Sequence, residues 1–198
     1  WVDNAKAIVQ TWFAGQEFGN ALVDVLTGEI NPSGKLPTSF PKSISDTPAY
    51  QFYPGQDQQM HYNEKLLMGY KWYERKAIKA LFPFGHGLSY TQFYYSNLTV
   101  HVHDNMEVSC KFIVENTGDV VGAETAQCYV AFQNADESEP VKTLQGFAKE
   151  SIESKQSIEI EIKLTPRNFS YWDINSKSWK IKKGSYEILI GSSAATMH

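Results

Sequence analysis

Tyr70, Trp72 and Tyr73 fall within four positions of one another. Aromatic faces at that density can bury the C–H faces of pyranose rings, which makes these three the candidate sugar-binding residues; packing in a core or seam uses the same rings. His86 stands between Gly85 and Gly87 and could act as base or ligand. A turn histidine hydrogen-bonded to backbone explains the same placement. Glu17 opens an apolar-periodic segment, where the helix dipole and free N–H groups favour an acid without any catalytic duty. Cys110 and Cys128 lack zinc-site spacing and are too few for a disulfide framework. They read as small core residues, with a mutual disulfide geometrically conceivable. Asn97-Leu98-Thr99 and Asn168-Phe169-Ser170 match the N-glycosylation acceptor pattern, so Asn97 and Asn168 are candidate modification sites. No nucleophile–base set and no metal-ligating cluster emerges, and the sequence therefore names no catalytic residue, metal or cofactor.

Composition bounds what these residues can serve. The chain has 198 residues, 42% of them hydrophobic, and no apolar run near the roughly 18 to 20 residues that span a bilayer. A folded globular chain without a membrane span is expected. Its net charge of −4 and lysines scattered among acids leave no footprint for nucleic acid. The two acceptor patterns tilt localisation toward a secreted, cell-wall or periplasmic protein over a cytoplasmic one. The start, Trp1-Val2-Asp3, has no methionine and no element that could open an independent fold, so it reads as cut from something longer.

The elements that must position these residues change character along the chain. Ala5, Ile8, Val9, Trp12 and Phe13 recur at helical spacing after Asp3 and Asn4, which reads as a short amphipathic helix or a turn-rich segment, and Phe18, Ala21, Leu22, Val25 and Leu26 mark a second helix stopped by Gly28. Asn31-Pro32-Ser33-Gly34 is a turn, and Leu36 to Phe40 reads as an edge strand because Pro37 and Pro41 cannot donate to a ladder. Residues 42–63 read as a long surface loop. The run from Leu81 to Thr91 is too aromatic for a solvated linker; it predicts a packed hinge that buries Phe82, Phe84, Leu88 and Tyr90 in an interdomain seam. Beyond it the period becomes two. Met106 to Val114, Thr125 to Phe132, Ile158 to Leu164 and Tyr186 to Ile190 alternate as half-buried strands, which predicts a β-sandwich whose acids lie on its solvated faces.

Three segments in order carry a family resemblance: Gly15-Gln16-Glu17 with Gly19 to Gly28 and Asn31 to Pro37; Gly69-Tyr70-Lys71-Trp72-Tyr73; and Phe82 to Thr91, followed by Glu115-Asn116-Thr117-Gly118. The chain resembles glycoside hydrolase family 3, the β-glucosidases of fungal type, over essentially its whole length. Lys71 and Trp72 depart mildly from the arginine and other aromatic common in relatives. The resemblance implies an α/β fragment, residues 1–80, finishing the family's α/β sandwich domain, a hinge at 81–91, and an all-β fibronectin type III-like, immunoglobulin-like sandwich at 92–198. It also implies a retaining hydrolase acting on β-linked glucosides or oligosaccharides in the complete enzyme. The nucleophilic aspartate lies on an N-terminal barrel, and the acid/base glutamate precedes the position matching Trp1, so neither is expected here and the chain alone is expected to be inactive. The alternative is a non-catalytic sandwich that binds carbohydrate or protein by itself.

Overall fold

Alternation of apolar and polar residues beyond position 92 demands strands, because only a pleated backbone sends every second side chain to one face. The computed structural model describes residues 2–55, 57 and 59–198; Trp1 and the loop residues Gln56 and Gln58 lie outside the described residues. Among the described residues nine strands follow one another: β1 (Phe93–Val102), β2 (Val108–Asn116), β3 (Gly122–Phe132), β4 (Lys142–Ile152), β5 (Ser157–Leu164), β6 (Ser170–Asp173), β7 (Ser178–Ile181), β8 (Tyr186–Ser193) and β9 (Thr196–Met197). One sheet has the order β1-β2-β5 and the facing sheet the order β4-β3-β8-β9, with β6-β7 a separate hairpin. Every pairing is antiparallel.

The register shows why this arrangement is stable. Cys110 lies opposite Ile162, Phe112 opposite Ile160 and Val114 opposite Ile158, so the apolar parity of both strands points the same way. These side chains meet Ala126, Cys128, Val130, Ile152 and Ile190 of the other sheet in one continuous core. Cys110 and Cys128 are buried free thiols there, not a disulfide. Met106 belongs to the turn before β2, with φ 62°, rather than to the strand that the alternation suggested. Strands β1 and β4 and the β6–β7 hairpin carry no clean alternation and were not legible.

The first half is built from less. Helix α1 (Phe18–Thr27) forms and stops at Gly28, whose φ of 84° is the left-handed conformation that glycine adopts cheaply. Glu17 makes no side-chain cap; its carboxylate accepts from the Asn20 amide at 2.6 Å instead. Of the two readings of Asp3 to Phe13 the helix is absent, and the segment holds one 3₁₀ turn, Val2–Asn4. Its apolar residues Ile8, Val9, Trp12 and Phe13 are exposed, and a short helix without a surface to bury its stripe does not hold in water. The expected strand at Leu36 to Phe40 reduces to one antiparallel bridge between Phe40 and Phe82. Pro37 has no N–H to extend it. Residues 42–63 carry a 3₁₀ turn at Ile44–Asp46, closed by reciprocal bonds between Ser43 and Asp46. Helix α2 (Tyr70–Arg75) begins after Gly69.

Candidate functional site

Of the residues that sequence marked for chemistry, Tyr70 packs on the outer face of β3. Because Gln127, Tyr129 and Ala131 lie on the parity opposite to the core residues of this strand and are nevertheless buried, something must cover them. That cover is α2 and the hinge. Tyr70 stacks on Phe84 with centroids 4.8 Å apart and meets Tyr129 edge-on at 5.9 Å. The Tyr70 hydroxyl accepts from the Leu144 N–H at 2.8 Å, while burial pushes its phenol pKa up. Tyr129 donates to Gln127 Oε1 at 2.7 Å, and Gln127 Nε2 donates to the carbonyls of Gly85 and Ser192 at 3.2 and 2.8 Å. Burial also raises the Tyr129 pKa. The side-chain polar atoms of Tyr70, Tyr129 and Gln127 thereby find partners, as burial requires.

Of the three sugar-platform candidates, Tyr73 is buried and Tyr70 is sandwiched as described. Trp72 donates its indole N–H to the Asp46 carbonyl at 3.0 Å, tying down the long loop, and carries the Lys76 ammonium over its ring. The three do not present a common open face. His86 makes no catalytic dyad: its ring stacks on Phe82 at 5.6 Å, its backbone carbonyl accepts from Leu36 N–H at 2.8 Å, and burial followed by the nearby Lys35 charge lowers its pKa. The hinge departs from expectation at its C-terminal end. Phe82 and Phe84 are half-buried, but Leu88 and Tyr90 are exposed. Tyr90 is held by polarity rather than burial, its hydroxyl donating to the Val25 carbonyl at 2.6 Å and its N–H to Asn31 Oδ1 at 2.8 Å. Of the two acceptor asparagines, Asn97 is exposed at the register break of β1. Asn168 is engaged: its oxygen caps Thr165 and its amide donates to Gln145.

Two polar clusters were missed. Glu124 lies on the core parity of β3 and is buried, which corrects the expectation that the acids of the sandwich are all solvated. It accepts from the Tyr95 hydroxyl at 2.8 Å and pairs with Lys35 at 3.1 Å, joining the two halves of the chain. A charge on an otherwise apolar parity was the available signal, since such a charge is retained only when paired. The second is Glu74 with Lys142, an ion pair on a cleft of about 430 Å³ also lined by Ser39, Tyr70, Tyr73 and Met197. Burial, outweighing Lys142, raises the Glu74 pKa. Each carboxylate is paired with a lysine of this chain. Among the described residues no three histidine, cysteine or acidic side chains are grouped to hold a metal. The geometry is that of a rigid joint with polar pegs.

Comparison with known proteins gives this joint its context. Residues 1–90 match the glycosyl hydrolase family 3 C-terminal domain and residues 124–194 the fibronectin type III-like domain. The chain is similar to a probable beta-glucosidase K of Emericella nidulans, with 41% identity over 98% of this chain and 23% of that protein. A thermostable beta-glucosidase B of Acetivibrio thermocellus is 40% identical over 98% of this chain and 26% of its own length. Among solved structures, a GH3 beta-glucosidase of Bifidobacterium adolescentis superposes with a TM-score of 0.94 at 36% identity, covering all of this chain and 29% of that one. A beta-glucosidase of Kluyveromyces marxianus in complex with glucose covers all of it with a TM-score of 0.91 at 35% identity, over 24% of its own length. The chain thus spans about a quarter of the relatives it matches. With both domains in the family's order and the whole chain superposed, it belongs to glycoside hydrolase family 3, matching the family's C-terminal domain and the fibronectin type III-like domain.

Proposed function

We propose that this chain is the part of a β-glucosidase that completes and stiffens its C-terminal half, while the reacting carboxylates come from the upstream part. The supporting observation is the end-to-end match to proteins named β-glucosidases, of which the chain spans only about a quarter. The geometry agrees. Ile8, Val9, Phe13, Val23 and Leu26 are each exposed, which suits residues 8–26 to packing against an upstream domain. In the complete enzyme the reaction is retaining hydrolysis of a β-linked glucoside by two carboxyl groups about 5 to 5.5 Å apart. Division at about residues 80 and 92 follows the same reading.

The test is an assay of the purified chain with an aryl β-glucoside, beside the same chain extended upstream through its barrel. Hydrolysis by the extended protein and none by the chain alone is expected. Turnover by the chain alone, abolished by replacing one of its own acids, would overturn the proposal, as would an extended protein inactive on every β-glucoside.

A further inference from the structure

Among the described residues the β6–β7 hairpin is the one strand pair that joins neither face of the sandwich. On one of its surfaces Trp172 lies directly opposite Trp179, the indoles edge-to-face with centroids 5.2 Å apart, and each about half exposed. Arg167 lays its guanidinium over the Trp179 ring. On the other surface Tyr171 is half exposed beside Lys180, which pairs with Asp173. Charge is concentrated here against the trend of the chain. Arg167, Lys177, Lys180, Lys182 and Lys183 are five of the 18 cations, whereas Asp173 alone of the 22 acids falls in this stretch. Lys182 is paired with Glu139, but Arg167, Lys177 and Lys183 have no ion pair among the described residues.

We infer that the Trp172–Trp179 face of this hairpin binds an anionic polysaccharide, a polymer of pyranose rings bearing carboxylates. The half-exposed Trp172 offers a face for the sugar C–H groups, and Arg167, Lys177 and Lys183, without an ion pair among the described residues, offer partners for carboxylates. In a protein of net charge −4, such a basic strip draws an anionic polymer only locally. A bilayer fits less well. The hairpin tip, Ile174-Asn175-Ser176-Lys177, is mostly polar, with the aromatic residues held back in the strands rather than projecting where they could enter lipid. The inference is independent of the proposed hydrolytic role, since no reacting group takes part.

The experiment is affinity electrophoresis of the full chain in gels containing polygalacturonate or a neutral β-glucan, with co-sedimentation on phosphatidylserine vesicles in parallel. Retardation by polygalacturonate is expected, relieved by added salt and absent in the neutral gel. Trp172→Ala should weaken it roughly tenfold. Lys177→Glu with Lys183→Glu should abolish it while keeping the far-ultraviolet exciton couplet of the paired indoles, which shows that the hairpin still folds. No retardation, retardation indifferent to these variants, equal retardation by neutral glucan, or preference for vesicles would overturn the inference. So would shielding of Trp172 from iodide quenching in the upstream-extended protein without polymer, which would give this face to another part of the same chain.

Discussion

Asn116 gathers four hydrogen bonds in one fully buried side chain. Its oxygen accepts from the Thr91 hydroxyl at 2.5 Å and the Gly118 N–H at 3.1 Å, and its amide donates to the carbonyls of Val120 and Ile152 at 2.8 and 2.9 Å. Each orphaned buried group costs about 1 to 3 kcal/mol, so Asn116→Ala should destabilise the chain by at least about 3 kcal/mol. Urea denaturation checks this, and a loss below about 1 kcal/mol would show that water replaces the side chain. His86 makes a second residue-level prediction. Its folded pKa is lowered by burial and by Lys35, so the unfolded chain takes up the proton first as pH falls. Stability from His86 is therefore complete above about pH 6.5 and declines as pH drops below that value toward the folded pKa. Urea midpoints measured across pH 7.5 to 5 should fall less steeply in His86→Asn than in the native chain; an identical slope would refute the assignment. The turn role of His86 was legible from its flanking glycines, whereas the hub role of Asn116 was not. Nothing local announces which distant carbonyls a buried amide will meet.

At the scale of elements, the hinge depends on a backbone that approaches β3 closely. Gly85 has φ 78°, and a Cβ there would collide with the Gln127 amide. A residue other than glycine in this conformation costs about 1 to 2 kcal/mol before any displacement of Gln127. Gly85→Ala should thus cost at least about 2 kcal/mol and break the bond from Gln127 to the Gly85 carbonyl. Gly34→Ala is the control, because its Cβ would meet nothing within 4 Å. Its effect should stay within about 0.5 kcal/mol. Equal midpoints for the two variants would remove the close-approach argument. The need for glycine in the hinge was visible from Gly85-His86-Gly87, but its partner was not. Gln127 lies 42 positions away, on a strand whose outer face the two-residue period gave no reason to regard as buried.

For the whole molecule, the question is whether the two halves move as one. They are joined by the edge-on Tyr70–Tyr129 contact beside Phe84, the Lys35–Glu124 pair and the bond from Asn31 Nδ2 to the Val121 carbonyl at 2.9 Å. Arg75 adds two donors to the Glu139 carbonyl, at 2.9 and 2.6 Å. Full burial of a Phe is worth about 1.5 to 3 kcal/mol, and Phe84 is half-buried, so Phe84→Ala should cost about 2 kcal/mol. NMR relaxation on the full chain should then show the residues before 80 and those after 92 tumbling less tightly together. Unchanged midpoint and unchanged tumbling would reduce residues 81–91 to an ordinary linker. The polar pegs predict partial persistence of the joint in this variant, since they do not depend on the Phe84 ring.

By itself the sequence determined the sandwich core, the Gly28 helix stop and the family, because each is written in local order: a period of two, a glycine at a left-handed position, three motifs in sequence. Only the tertiary structure decided that residues 3–13 stay unwound, that Leu88 and Tyr90 face outward, and that the outer face of β3 is sealed by α2 and the hinge. A period reports which side chains share a face, not what stands opposite that face. Whether a stripe is buried depends on surface brought from far along the chain, and among the described residues none buries Ile8, Val9 or Phe13. The Tyr70–Phe84–Tyr129 stack is the same point in one contact, three rings from three elements meeting at a place that no stretch of the sequence describes.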